Sequence, residues 1–255
     1  MLLLLFTSMA FGQGNGNGNN VYWHTSPNVK TCSMVIDSSL TQGQWHRFIK
    51  QSSSILSFRS LASAKTLGKM KFHFAIDDAR TPVDQHDLAW INTFSHPDEN
   101  CPLGDVISFP AFRASMGITN SMDIGGYWTT APGANYGLAG GEFKYAFLKE
   151  SGKYPAAAVR TSVSILTGVP DFDVDIASIE LMASKQFAMF TPYVGIKQNL
   201  VHATETTSKV NLADENLSLT QGYAGIVYSL WRINLTAEYN ISTLNTFAFA
   251  LGLNL

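Results

Sequence analysis

The chain has 255 residues, enough for one large β-domain or two small ones. Only 14% of its residues are charged, against 45% hydrophobic and 12% aromatic, and that charged share is well under the roughly 25% of soluble domains. A net charge of −2 with no run of Lys and Arg leaves no basic stripe along the sequence, which argues against a nucleic-acid partner.

In chain order, the apolar run Leu2–Phe6 and the small-x-small triplet Ser8-Met9-Ala10 predict a secretory signal over residues 1–12, cut after Ala10 or Gly12, although a basic n-region is missing. The run is far shorter than the roughly 20 residues of a spanning helix, and no later segment reaches that length without charges or turn residues. An exported chain with no spanning helix is periplasmic, secreted or embedded in an outer membrane. Cys32 and Cys101 fit one disulfide in such a compartment, with two unbonded thiols as the alternative.

Residues 13–38 read as a flexible segment that begins with the low-complexity QGNGNGNN of Gln13–Asn20. Residues 39–66 read as a short helical and irregular segment. Trp45, Phe48, Ile49, Ile55 and Leu56 recur at helical spacing, and Ser39 or Thr41 is placed to cap the start. The pattern leaves open whether this helix lies in the periplasm or in a lumen.

From residue 67 to 255 the period is two. Lys69–Asp77 sets Met70, Phe72, Phe74 and Ile76 against Lys71, His73, Ala75 and Asp77. A polar connection, 78–105, follows. Further strands are expected at Val106–Met116, Met122–Thr130, Tyr136–Leu148, Ala156–Thr167, Phe172–Ala183, Thr191–His202, Ser218–Leu230 and Ile233–Ile241, with a second long connection at 203–217. The last, Asn245–Leu255, alternates almost without error: Phe247, Phe249, Leu251, Leu253 and Leu255 share one face.

A greasy face this regular has to be covered, and in a transmembrane β-barrel lipid covers it. Open strand edges in lipid would strand unpaired N–H and C=O groups, so the sheet closes. The expected fold is all-β: a closed antiparallel up-and-down transmembrane barrel of about ten strands, with eight to twelve possible. Short turns near 117–121, 149–154, 184–190 and 230–232 alternate with connections at the other end, where 78–105 and 203–217 are long. Short turns in the periplasm, long loops outside and both termini on the periplasmic side is the rule for such barrels.

The alternation, the aromatics near strand ends (Trp128, Tyr136, Tyr193, Tyr223, Tyr228, Trp231 and Tyr239) and the terminal strand resemble bacterial outer-membrane β-barrel proteins of porin-like type. The resemblance covers roughly residues 68–255. It implies a Gram-negative outer membrane as location, surrounding lipid as partner, and recognition of the terminal strand by the barrel-assembly machinery. That strand usually ends in an aromatic residue in the family; here it ends in Leu255.

By strand parity Lys71, His73, Asp77, Arg113, Asp123, Glu142, Lys144, Arg160 and Glu238 face the lumen. Mixed charges there suit either a hydrated channel or a plug of paired groups in a barrel little wider than the eight-strand size that side chains fill. The leading expectation is a narrow porin-like channel for ions or small solutes. The alternatives are a plugged structural or surface-interaction barrel without transport, and a soluble β-barrel that binds an apolar ligand. No G-x-S-x-G elbow accompanies the histidines and serines, so no catalytic residue is assigned and the chain is not read as an enzyme. His86, Asp87, His96, Asp98 and Glu99 match no metal-binding spacing, so neither metal nor cofactor is expected. The sequons at Asn216, Asn234 and Asn240 carry no weight in a bacterial barrel.

Overall fold

Thr41 starts the first helix. Its hydroxyl accepts from the Gln44 N–H while the Gln44 side chain accepts from the Thr41 N–H, a reciprocal capping box. The computed structural model describes residues 33–95, 105–130 and 136–255. Within them, β1 (Ser33–Met34) precedes helix α1 (Gln42–Leu56) and pairs with β3 (Phe94–Ser95), which follows the single-turn helix α2 (Leu88–Ile91). Cys32, Cys101 and the proposed signal fall outside the described residues. No described helix is long and apolar enough to cross a membrane.

Ten strands form the barrel: β2 (Phe72–Pro82), β4 (Val106–Gly117), β5 (Met122–Thr130), β6 (Gly137–Leu148), β7 (Ala156–Thr167), β8 (Phe172–Ser184), β9 (Phe190–Glu205), β10 (Glu215–Leu230), β11 (Ile233–Ile241) and β12 (Thr246–Asn254). Each pairs antiparallel with the next, and β12 closes on β2 from Phe247↔Arg80 to Asn254↔His73. Reciprocal backbone bonds between Phe72 and Leu255 (3.0 and 2.9 Å) extend that seam to the last residue. The predicted architecture is therefore the observed one.

Parity explains which way the faces point. Phe247, Phe249, Leu251 and Leu253 are 40–47% exposed, while Ala248 and Ala250 between them are buried. The same alternation puts Phe74, Ile76, Phe143, Ile165, Ile179, Ile196 and Leu235 outside. Rows of exposed large apolar side chains around a closed ring have only hydrocarbon to cover them. That removes the soluble-barrel alternative.

The strands outrun their expected lengths at the loop end. β2 continues through Asp78 and Arg80, which pair with each other at 2.8 Å on the outer face, and β9 and β10 reach Glu205 and Glu215. Charge made these residues look like loop, but alternation continues through them above the apolar belt. One ladder is shorter than its strands: β4 and β5 pair only from Gly117↔Asp123 to Phe112↔Trp128. Pro110 has no N–H to give beyond that point, and the Thr129 hydroxyl donates to its carbonyl instead.

Three of the aromatics expected in an interfacial girdle lie inside. Tyr193 and Tyr223 are 2% and 6% exposed and project across the register onto Gly225 and Gly195, where an added Cβ would overlap the phenol rings. Missing Cβ atoms on one strand make room for rings on the next. Tyr136 packs edge-on against Phe94, 6.1 Å away, and beside Phe109. Trp128 and Trp231 are exposed, and Tyr239 is 45% exposed.

Candidate functional site: the threaded lumen

Helix α1 does not precede the barrel in space. Trp45, Phe48 and Ile49 are fully buried among Leu138, Leu166, Phe172, Val174 and Val201, the inward residues at the loop ends of β6 to β9. Trp45 and Phe48 both meet Phe172 edge-on, at 5.4 and 5.7 Å. The helix therefore stoppers the loop-end mouth with an aromatic core of its own.

After the helix the chain goes down the lumen, and its contacts with the wall trace the route. The Leu56 carbonyl accepts from Ser164, near the loop end of β7. Next, the Phe58 carbonyl accepts from Lys197 at 2.7 Å and the Ser57 hydroxyl donates to Gln221 at 3.1 Å, both midway along their strands. Ser60 donates to Glu142, the Ala64 N–H to Ser184, and the Ser63 and Lys65 carbonyls accept from Lys144. Finally the Leu67 N–H donates to Asp123, one residue from the turn end of β5, and the Thr66 hydroxyl to the Asn120 carbonyl in the turn itself. At Gly68, where φ is +93°, the chain reverses into β2.

Residues 57–67 thus form a strap threaded through the barrel from loop end to turn end. The described chain enters at the mouth opposite to its C-terminus, whereas an even strand number had led to both termini at the turn end. The rule counts strands, and the strap adds one more crossing.

The wall side chains form linked polar clusters around the strap. At the turn end Lys144 sits 3.0 Å from Asp123 while serving two strap carbonyls. In the middle Arg160 lies between Glu142 (3.3 Å) and Glu180, to which Tyr223 also donates. Beside it Tyr193 and Asn240 donate to Glu238 at 2.7 and 2.9 Å, and a chain of amides continues through Gln221 and Asn199 to Ser178. Arg113 pairs with Asp77 and lies over Tyr127 and Phe58, 5.0 and 5.4 Å from the ring centres. Buried charges demand such partners, because desolvation otherwise outweighs their attraction.

The structure brings Asp77, Arg113, Asp123, Glu142, Lys144, Arg160 and Glu238 together on the inner wall. His73 is half-buried at the turn end, over the backbone of Gly252, and Lys71 lies just outside β2, exposed at that mouth. Sequence parity passed over Glu180 and Lys197, 4% and 2% exposed. Lys197 was detectable: it alternates with Val194, Ile196 and Leu200. Glu180 was masked because Phe172, Val174 and Ile176 at the start of β8 share its parity while Asp173 and Asp175 lie on the opposite, outward face. Arg59, whose guanidinium donates to the Ser54 and Ile55 carbonyls, belongs to the strap and follows no strand parity.

At the loop end α1 is clamped to two loops. His46 Nδ1 meets Glu215 at 2.8 Å, Gln42 reaches Glu215 and Ala213, and Arg47 meets Asp87 at 3.3 Å. Asp171 accepts from the Ile36 N–H and from Lys209, each at 2.9 Å. The hydroxyl and N–H of Ser39 hold the Asp37 carboxyl below its ordinary value. Among the described residues no group of three or more His, Cys, Asp or Glu is placed to hold a metal ion; His96, Asp98 and Glu99 are outside them.

No family model and no curated protein matches the chain. Among solved structures, the chain is similar to Neisserial surface protein A (13% identity, TM-score 0.30, 72% of this chain and 96% of that one). It is also similar to the translocator domain of autotransporter NalP from Neisseria meningitidis (10%, 0.36, 82% and 93%), and to the outer membrane protein OprG from Pseudomonas aeruginosa (9%, 0.32, 76% and 99%). Independently of these likenesses, ten antiparallel strands closed up-and-down with an apolar outer surface and short turns at one end make the chain a membrane-spanning β-barrel.

Proposed function

We propose that the protein is a closed scaffold which holds its own chain across the outer membrane and presents the α1 cap, the 83–105 loop and the 206–214 loop at the cell surface. It is not, on this reading, an open pore. The observation that carries it is the strap: residues 57–67 occupy the lumen and are hydrogen-bonded to β5, β6, β8, β9 and β10 along the way. Wall charges that would tune a hydrated channel are spent on one another and on strap carbonyls. Long loops mark the outer face of such barrels, so Ser33, the first described residue, lies on that side.

Two measurements test this. Folded wild-type protein in planar bilayers is expected to be electrically silent, while excision of residues 42–67 opens steady ionic conductance. An epitope inserted before Ser33 is expected to bind antibody on intact cells, whereas one in the 149–155 turn does not. Steady conductance of the intact chain would restore the narrow porin-like channel as the leading role. Antibody access to the turn alone would reverse the orientation.

A further inference from the structure

The folded barrel gathers charge that is scattered in sequence. Lys69 and Lys71 lie just ahead of β2, Lys149 and Lys153 in the β6–β7 turn, and Arg232 in the β10–β11 turn, all exposed and all at the turn end. Lys65, at the strap's exit, and Lys185, in the β8–β9 turn, both lie 3.6 Å from Glu150, the sole acidic side chain in the described turns at this end. The other mouth is opposite in sign: Asp84, Asp173, Asp175 and Asp214 are exposed there. The net charge of −2 therefore conceals an axial separation.

The basic rim is also apolar. Tyr154 beside Lys153 is 69% exposed, Phe187 in the β8–β9 turn 59%, and Trp231 87%, with the Arg232 guanidinium 5.0 Å from its ring centre. Exposed aromatics beside cations at the edge of a lipid-covered wall are the arrangement that anchors a protein at a membrane interface.

We infer that the turn-end rim is a binding surface for anionic phospholipid headgroups in the leaflet that it faces. The ligand needs a phosphate at the height of the turns and acyl chains that descend along the strands. A soluble anion offers only the first, and leaves Phe187 and Trp231 uncovered. Cations near an anionic leaflet gain attraction that decays within a Debye length, so the association is salt-sensitive.

The test is competitive lipid retention. The full chain, folded in mixed micelles holding equal phosphatidylglycerol and phosphatidylcholine, is examined by native mass spectrometry for the lipid that remains bound. Severalfold preference for phosphatidylglycerol at low salt, lost at high salt and in a K69Q/K71Q/K149Q/K153Q variant, is the expected result. Heat-modifiable gel migration certifies that the variant is folded, and a K50Q/K209Q variant at the loop end is expected to keep the preference. Equal retention of both lipids, or a preference indifferent to the rim variant, overturns the inference. So does loss through the loop-end variant alone, and so does rim-dependent capture of acidic cell-wall peptides without lipid preference, which would assign the rim to the wall.

Discussion

Arg160 is the residue on which most of the lumen converges. Its guanidinium neutralises Glu142 and Glu180 in a region where side chains are under a tenth exposed. Replacing it by Met leaves two carboxylates buried without a counter-charge, a defect worth about 3–5 kcal/mol. R160M is therefore expected to lower the urea midpoint of the barrel in vesicles sharply, and R160M/E180Q to recover part of the loss. The N-cap is a smaller lever: T41A removes one half of the capping box and should cost about 1 kcal/mol, read as earlier proteolysis within the cap rather than as loss of the barrel. At this scale sequence parity named most of the inward charges but not their partners. Alternation says which face a side chain is on, whereas the pairing of Arg160 with Glu180 depends on the β7–β8 register.

Among the elements, the β9–β10 ladder and the strap respond differently to substitution. Tyr193 lies over Gly225 and Tyr223 over Gly195 across one register. G195A/G225A therefore forces two rings off their glycines, and overpacking of this kind costs about 1–3 kcal/mol; a lower refolding yield into detergent with unchanged strand circular dichroism is the expected outcome. The strap is held by side chains on strands that do not depend on it for their ladders. K144M/K197M removes donors to the Phe58, Ser63 and Lys65 carbonyls, so faster hydrogen exchange confined to residues 57–67 is expected while the ladders stay protected. If exchange rose evenly through the strands, the strap would be integral to the wall rather than a separable insert. Strand identity was legible in the sequence because period two is local. Strand ends were not: Asp78, Arg80, Glu205 and Glu215 are polar residues kept in the sheet by pairing above the lipid.

As a whole molecule, the barrel exposes an apolar belt between an acidic loop end and a basic turn end. Detergent-dependent extraction and heat-modifiable migration on gels are the expected behaviour, since unfolding a closed ladder in detergent requires heat. Extraction in aqueous buffer without detergent would remove the membrane assignment and with it the surface-presentation role.

The sequence alone determined a closed barrel with apolar Phe, Leu, Val and Ile rows outward and charges inward. It did so because side-chain direction in a strand is fixed residue by residue and an exposed ladder edge is untenable in lipid. Only the tertiary structure decided what fills the ring. The strap carries no period, its partners lie up to 164 positions away, as Gln221 does from Ser57, and its backbone groups look the same in sequence whether water or Lys144 satisfies them. The basic rim is of the same kind: Lys69, Lys153 and Arg232 become neighbours only when the sheet curls round to bring its turns to one end.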